Sequence, residues 1–310
     1  MDWLYTTEKL VAIASSIVVI VGVVIAWSKQ VQKPEKEDAS SDILAERFIA
    51  LFEAHGVHRN QIPGFFGKGI SLADVSSPES LLSKLSPELL SDAAELFAVN
   101  LEWLQGSIDS PYPTHQFYKQ PDEFERFIDE LISRGNSLDG YVFNAILPGH
   151  VPDEYDAAIV LTEEIGHVND RPVFRVHICN GWVFRYWKCR GYLAACIATA
   201  WRKGVRLIGK QVTSDWLVKF GGGNELIEYD YDVGYLNYPA CSTWYADELV
   251  ECPEKFLYGV DPEQNKFGLQ AALGLWLELD NEGYMQMYAD GTHTAVRAGY
   301  TKALSDLYGP

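Results

Sequence analysis

Val173 to Phe184 reads VFRVHICNGWVF, and a short turn later Tyr192 to Trp201 reads YLAACIATAW. The first stretch is rich in β-branched and aromatic residues, as a strand is; the second is apolar nearly all round, as a buried helix is. Two strand-like runs precede them, Tyr141 to Leu147 and Ala157 to Thr162, set apart by Pro, Gly, Asn and Asp turns. Val205 to Val212 follows as a further strand. Before this group a helix is predicted from Pro121 to Arg134, with Phe124, Phe127, Ile128 and Leu131 on one face and Gly135 as its terminator. Helix, three meandering strands, helix and strand make an α+β layer, not an alternating parallel sheet.

Further along, the chain turns acidic and aromatic. Asp261-Pro262-Glu263-Gln264 is a helix start, and a helix is predicted from Gln264 to Leu279. Asp280 to Gly283 then reads as a turn and Tyr284 to Tyr288 as a strand. Residues 121–310 are therefore read as one α+β domain of sensory or binding type, which resembles the PAS and GAF folds in outline only. A Ser/Asp/Pro-rich hinge, 107–120, precedes it.

Residues 42–106 carry helical spacing. Asp42 is placed as N-cap, Ile43, Phe48, Leu51 and Phe52 form an apolar face, and Gly56 ends the helix. Val57 to Gly67, VHRNQIPGFFG, resembles the second helix of the lambda-repressor-like (Xre-type) helix-turn-helix family, and Leu96 to Gly106, LFAVNLEWLQG, resembles its closing helix. The resemblance implies a small all-α domain. It departs from the family where base readout occurs, because Ser71 to Glu79, SLADVSSPE, has no basic reader, two carboxylates and a Pro. With four Lys+Arg against nine Asp+Glu over 42–106, a protein-contact module is expected in place of a DNA reader.

Leu10 to Trp27, LVAIASSIVVIVGVVIAW, has 18 residues without a charge. As a helix it would be about 27 Å long, which matches a bilayer core. It is read as an uncleaved single-pass transmembrane helix of an inner-membrane protein, with residues 1–9 outside and 28–41 as a linker. Lys29, Lys33 and Lys36 place the later domains in the cytoplasm.

The 310-residue chain has a formal charge of -18, which disfavours a protein built to coat polyanions. Its five Cys include no CxxC pair and its seven His no HxH or HExxH spacing, so neither a disulfide framework nor a metal site is expected. Charge is segregated. Arg171 to Lys210 holds nine basic residues and no acid, whereas Asp215 to Pro310 holds five basic and 16 acidic residues. The basic stretch is expected mainly to pack against the acidic tail. Within it Arg185, Tyr186, Trp187, Lys188 and Arg190 are the candidate ligand-binding residues, since cations interleaved with aromatic rings suit an anionic ligand. His177 and Cys179 share a strand face, but such a pair usually has a structural role, and no catalytic residue is assigned.

The reading is a membrane-anchored, non-enzymatic regulatory or scaffold protein. The expected partners are the membrane, another protein and an anionic small molecule; nucleic acid and cofactors are not expected. The competing reading is a membrane-tethered DNA-binding transcription regulator, and a third is an enzyme with its site in the C-terminal domain.

Overall fold

A computed structural model of the chain describes residues 35–146, 156–230, 235–260, 268–288 and 291–308. The first helices are α1 (Glu35–Ala54), α2 (Ile62–Phe65), α3 (Pro78–Leu82), α4 (Pro87–Phe97) and α5 (Leu101–Leu104). Helix α1 begins inside the expected linker. At its other end Gly56 takes φ +81°, and a Cβ there would lie 2.8 Å from the Tyr229 ring. Ser86 caps α4, its Oγ accepting from the Leu89 amide at 3.2 Å, and Pro87 follows at the first helical position. Where the repressor-like family carries its third helix, a 3-10 turn (Asp74–Ser76) leads into the five-residue α3, as Pro78 interrupts the run.

Next come β1 (Thr114–Gln116), α6 (Pro121–Ser133), β2 (Leu138–Ile146), β3 (Ala157–Val168), β4 (Arg171–Trp182), α7 (Trp187–Arg202), β5 (Leu207–Thr213) and α8 (Ser214–Gly221). The chain continues with β6 (Glu228–Asp230), β7 (Tyr235–Asn237), β8 (Ala240–Trp244), α9 (Glu248–Glu251), α10 (Pro253–Leu257), α11 (Gly268–Asn281) and α12 (His293–Tyr308). One six-stranded sheet runs β1-β4-β3-β2-β5-β8, and β6 and β7 form a separate pair. Strands β2, β3 and β4 are an antiparallel meander, with β1 parallel to β4 on one side and β5 parallel to β2 on the other.

Strand alternation gives this sheet two apolar faces, and each needs a cover. Val142, Ile159, Leu161 and Cys179 pack on one face against Phe124, Ile128 and Leu131 of α6 and Leu193, Cys196 and Ile197 of α7. Helix α11 lies against α7 so closely that a Cβ on Gly191 would sit 2.6 Å from Leu275. On the other face Phe143, Val160, Val176 and Ile178 share a core with Phe48 and Phe52 of α1, Phe97 of α4 and Phe220 of α8. The 42–106 segment is thus one wall of the sheet's second core.

His55 is the polar tie of that wall. Its Nδ1 donates to the Leu51 carbonyl at 2.7 Å, so its Nε2 accepts from the Tyr112 hydroxyl at 3.2 Å, and the Tyr112 oxygen accepts from the Ile227 amide at 3.3 Å. Burial lowers the His55 pKa from 6.5 to about 4.

Several expectations are corrected. The expected fold class, a transmembrane helix, a small all-α module and an α+β domain of PAS or GAF outline, gives way to a mixed α/β domain. Its six-stranded sheet carries twelve helices among the described residues. The physical reason is the two-sided apolar sheet, whose second face is covered by the very helices expected to form a module of their own. The inner-membrane, single-pass reading is likewise corrected: among the described residues no helix is long and apolar enough to cross a membrane. The 10–27 stretch on which it rested lies outside the described residues, as do 1–9 and 28–34. Residues 284–288 form no strand, and α12, which was not anticipated, covers α11.

Because α1 and α4 share a core with the sheet, the chain is expected to unfold in one cooperative transition by calorimetry. Phe97→Ala should cost about 3–5 kcal/mol, while separate helical and sheet transitions would contradict the shared core. His55 contributes stability that is complete above the unfolded pKa of 6.5 and is lost as pH falls toward 4. That loss is about 3 kcal/mol, and in denaturant titrations His55→Gln should flatten the stability profile between these two pH values.

Candidate functional site

The first face of the sheet runs out of apolar cover at the C-terminal end of α6, and a carboxylate stands there. Glu163 follows six residues of apolar or Thr character on β3, and alternation puts it on the face of Ile159 and Leu161. Across the ladder its partner is Arg175 of β4. The pairing is bidentate, Arg175 Nε donating to Oε2 at 2.7 Å and Nη2 to Oε1 at 2.6 Å. Asn136 Nδ2 donates to Oε1 at 2.7 Å, His177 Nε2 lies 2.9 Å from Oε2, and Arg134 Nη1 reaches Oε2 at 3.3 Å.

The Glu163 side chain is fully buried. Burial alone would push its pKa up, but hydrogen bonds from His177, Arg175 and Asn136 and the charge of Arg175 outweigh it and hold it well below the usual carboxylate range. An ionised Glu163 accepts, so His177 Nε2 carries the proton and Nδ1 is left bare. Burial lowers the His177 pKa against the opposing pull of Glu163, which keeps the imidazole neutral. The remaining donor of Arg175, Nη1, points to the Glu95 carbonyl at 3.3 Å at the end of α4. This network therefore joins β3, β4, the end of α6 and the helical wall.

Above the network opens a cleft of about 950 Å³ between α4, α5, β1 and α6, and His115, His177, Arg134, Arg175 and Glu130 line it. His115 of β1 pairs in register with Cys179, which puts it on the same face as His177. The Phe127 ring packs near both imidazoles, 4.5 Å from His115 and 5.8 Å from His177. Burial lowers the His115 pKa and the neighbouring His177 adds to that, with Glu130 pulling the other way. Arg134 also pairs with Glu130 at 3.0 Å on the solvent side. The site thus presents two neutral imidazoles and an arginine shared between an inner and an outer carboxylate. Among the described residues no group of three His, Cys, Asp or Glu side chains could hold a metal ion.

The five residues expected at a ligand site lie elsewhere. Arg185 is exposed, and Tyr186 and Trp187 are half-buried with rings 6.0 Å apart. Lys188 folds over the Trp187 ring at 5.0 Å. Arg190 is buried, its Nε donating to the Phe184 carbonyl at 2.6 Å and Nη1 to the carbonyls of Phe256 and Tyr258 at 2.9 and 3.0 Å. Burial lowers its pKa to about 9, and its guanidinium lies 3.8 Å from the Phe184 ring. It fastens α10 to the turn before α7.

The basic stretch forms no ion pair, among the described residues, with the acidic tail it was expected to pack against. Among the described residues its ion pairs run to Glu163, Glu125 and Asp129, which precede it in sequence. The tail supplies uncharged acceptors instead, as where Arg202 Nη1 donates to the Gly283 carbonyl at 3.0 Å. Cys179 is fully buried, and burial pushes its thiol far up, while its neighbour His177 turns to Glu163. Glu163, Arg134 and His115 were missed in the sequence. The available signal was a carboxylate on the apolar side of a strand, two residues after Leu161.

Glu163→Gln should cost about 3–5 kcal/mol, because it leaves the largely buried Arg175 uncompensated, whereas Arg134→Met, more exposed, should cost under about 1 kcal/mol. Since the folded pKa of Glu163 is depressed, its contribution is present above the unfolded value of about 4.3 and fades as pH falls below it. Denaturation curves of the two variants between pH 3 and 7 check both statements.

No protein-family model matches the sequence, and neither a similar curated protein nor a similar solved structure was found.

Proposed function

We propose that this chain is a non-enzymatic binding protein that takes a small anion of carboxylate or phosphate type in the cleft above Glu163. The observation that carries the reading is the placement of Arg134. It is held from within by Glu163 at 3.3 Å and from outside by Glu130 at 3.0 Å, at the wall of a cleft large enough for a metabolite. An incoming anion replaces Glu130 on the outer side of the guanidinium and keeps the inner pairing, so the buried network stays satisfied. The bare Nδ1 of His177 accepts a hydrogen bond from a ligand hydroxyl, and Phe127, Val99 and Leu101 supply apolar wall. The cleft lies where the helical wall meets the sheet, and a ligand there touches both, which suits a regulatory role.

Thermal shift and calorimetric titration with citrate, glutarate and inorganic phosphate test this. At least one of the three is expected to raise the melting temperature by several degrees with saturation. Arg134→Met should weaken that binding about tenfold, and Glu130→Gln should strengthen it by removing the internal competitor. Absence of a saturable shift with all three anions, or an unchanged shift in Arg134→Met, would overturn the reading.

A further inference from the structure

The second face of the sheet has its own opening, away from the cleft above Glu163. Alternation on β5 presents Ile208 and Lys210 to that face, and Arg206, just before the strand, lines the same opening, so the apolar floor has two cations beside it. Tyr141 of β2 and Phe174 of β4 extend the floor, and Tyr238, just past β7, closes one side, giving a groove of about 430 Å³. The Tyr141 and Tyr238 rings lie 5.4 Å apart at 59°. Lys210 Nζ sits 5.6 Å from the Tyr238 ring and donates to Thr243 Oγ1 at 2.9 Å, which fixes the ammonium over the groove. Arg206 is exposed, and its guanidinium has no ion pair or hydrogen bond among the described residues. Asp139 is the acidic side chain of the lining, so the cations outnumber the carboxylates two to one.

We propose that this groove binds a small planar aromatic anion, its ring laid on Ile208 alongside the Tyr141–Tyr238 pair and its negative group held by Lys210 and Arg206. Three features carry the assignment. The floor is apolar but half-buried, so a flat ring gains by covering it. An ammonium already held over an aromatic ring loses little freedom on meeting an anion. The guanidinium opposite brings a planar donor fork that none of its described neighbours occupies. Inorganic phosphate would meet the two cations but leave the apolar floor wet, so the ring is required for affinity.

The fluorescent probe anilinonaphthalene sulfonate, an aromatic ring system with one anionic group, tests the proposal on the full folded chain. Saturable binding of one molecule per chain is expected, with millimolar inorganic phosphate displacing it poorly and an aromatic nucleoside monophosphate displacing it well. Lys210→Gln and Arg206→Gln replace side chains outside the core, and each should weaken binding at least fivefold at an unchanged melting temperature. Tyr238→Ala should weaken it similarly. Arg134→Met should leave it unaltered, which separates this groove from the cleft above Glu163. Non-saturable binding, equal affinity in the Lys210 and Arg206 variants, or loss in Arg134→Met alone would overturn the proposal.

Discussion

A fully buried carboxylate, Glu163, is the constraint around which the rest is arranged. Moving such a charge out of water costs several kcal/mol unless nearly every lone pair is met, and here Arg175, Asn136, His177 and Arg134 meet them from four directions. The donors come from three places: β4 supplies two, the end of α6 one and the turn after it another. Those elements cannot slide without breaking a charged contact to a buried carboxylate. The same arginine reaches the end of α4, so the register of the meander and the seating of the helical wall are one constraint.

From this follows the character of the cleft. The network fixes the His177 tautomer and turns its bare nitrogen away from Glu163, while the Phe127 ring packs against both His177 and His115. Arg134 has a face to solvent, and its outer partner Glu130 is exposed and readily exchanged. The proposed anion binding rests on this arrangement, a rigid inner shell with one exchangeable outer pair. The groove on the opposite face is built differently, on an apolar sheet surface with cations at its margins.

What was legible in the sequence followed from local periodicity. The meander, α6 and α7 form close to where alternation and helical spacing put them, because each segment carries its own apolar pattern. Long-range pairings were not legible. The three-residue β1 lies in what reads as a polar hinge and exists only because β4 offers it a parallel edge. Strand β8 depends on a glycine elsewhere: a Cβ on Gly209 would fall 2.3 Å from the Trp244 ring, so only glycine lets that strand approach. The binding residues were sought where cations meet aromatic rings in one stretch of sequence. The folded chain instead gathers its charged cleft from β1, α6, β3 and β4, and it spends Arg190 on backbone carbonyls. Apolar residues on both faces of β2 to β4 carried a message about a second cover, and the helices of 42–106 supply it.

The central claim is that Glu163 is ionised inside the fold and holds the surrounding cations and His177 in place. Its carboxyl carbon, followed by NMR in the folded chain as pH is lowered, tests this most directly. The account predicts no titration step for Glu163 across the ordinary glutamate range, down to the pH at which the chain unfolds. A midpoint near the usual value of about 4.3, with the fold intact, would contradict it.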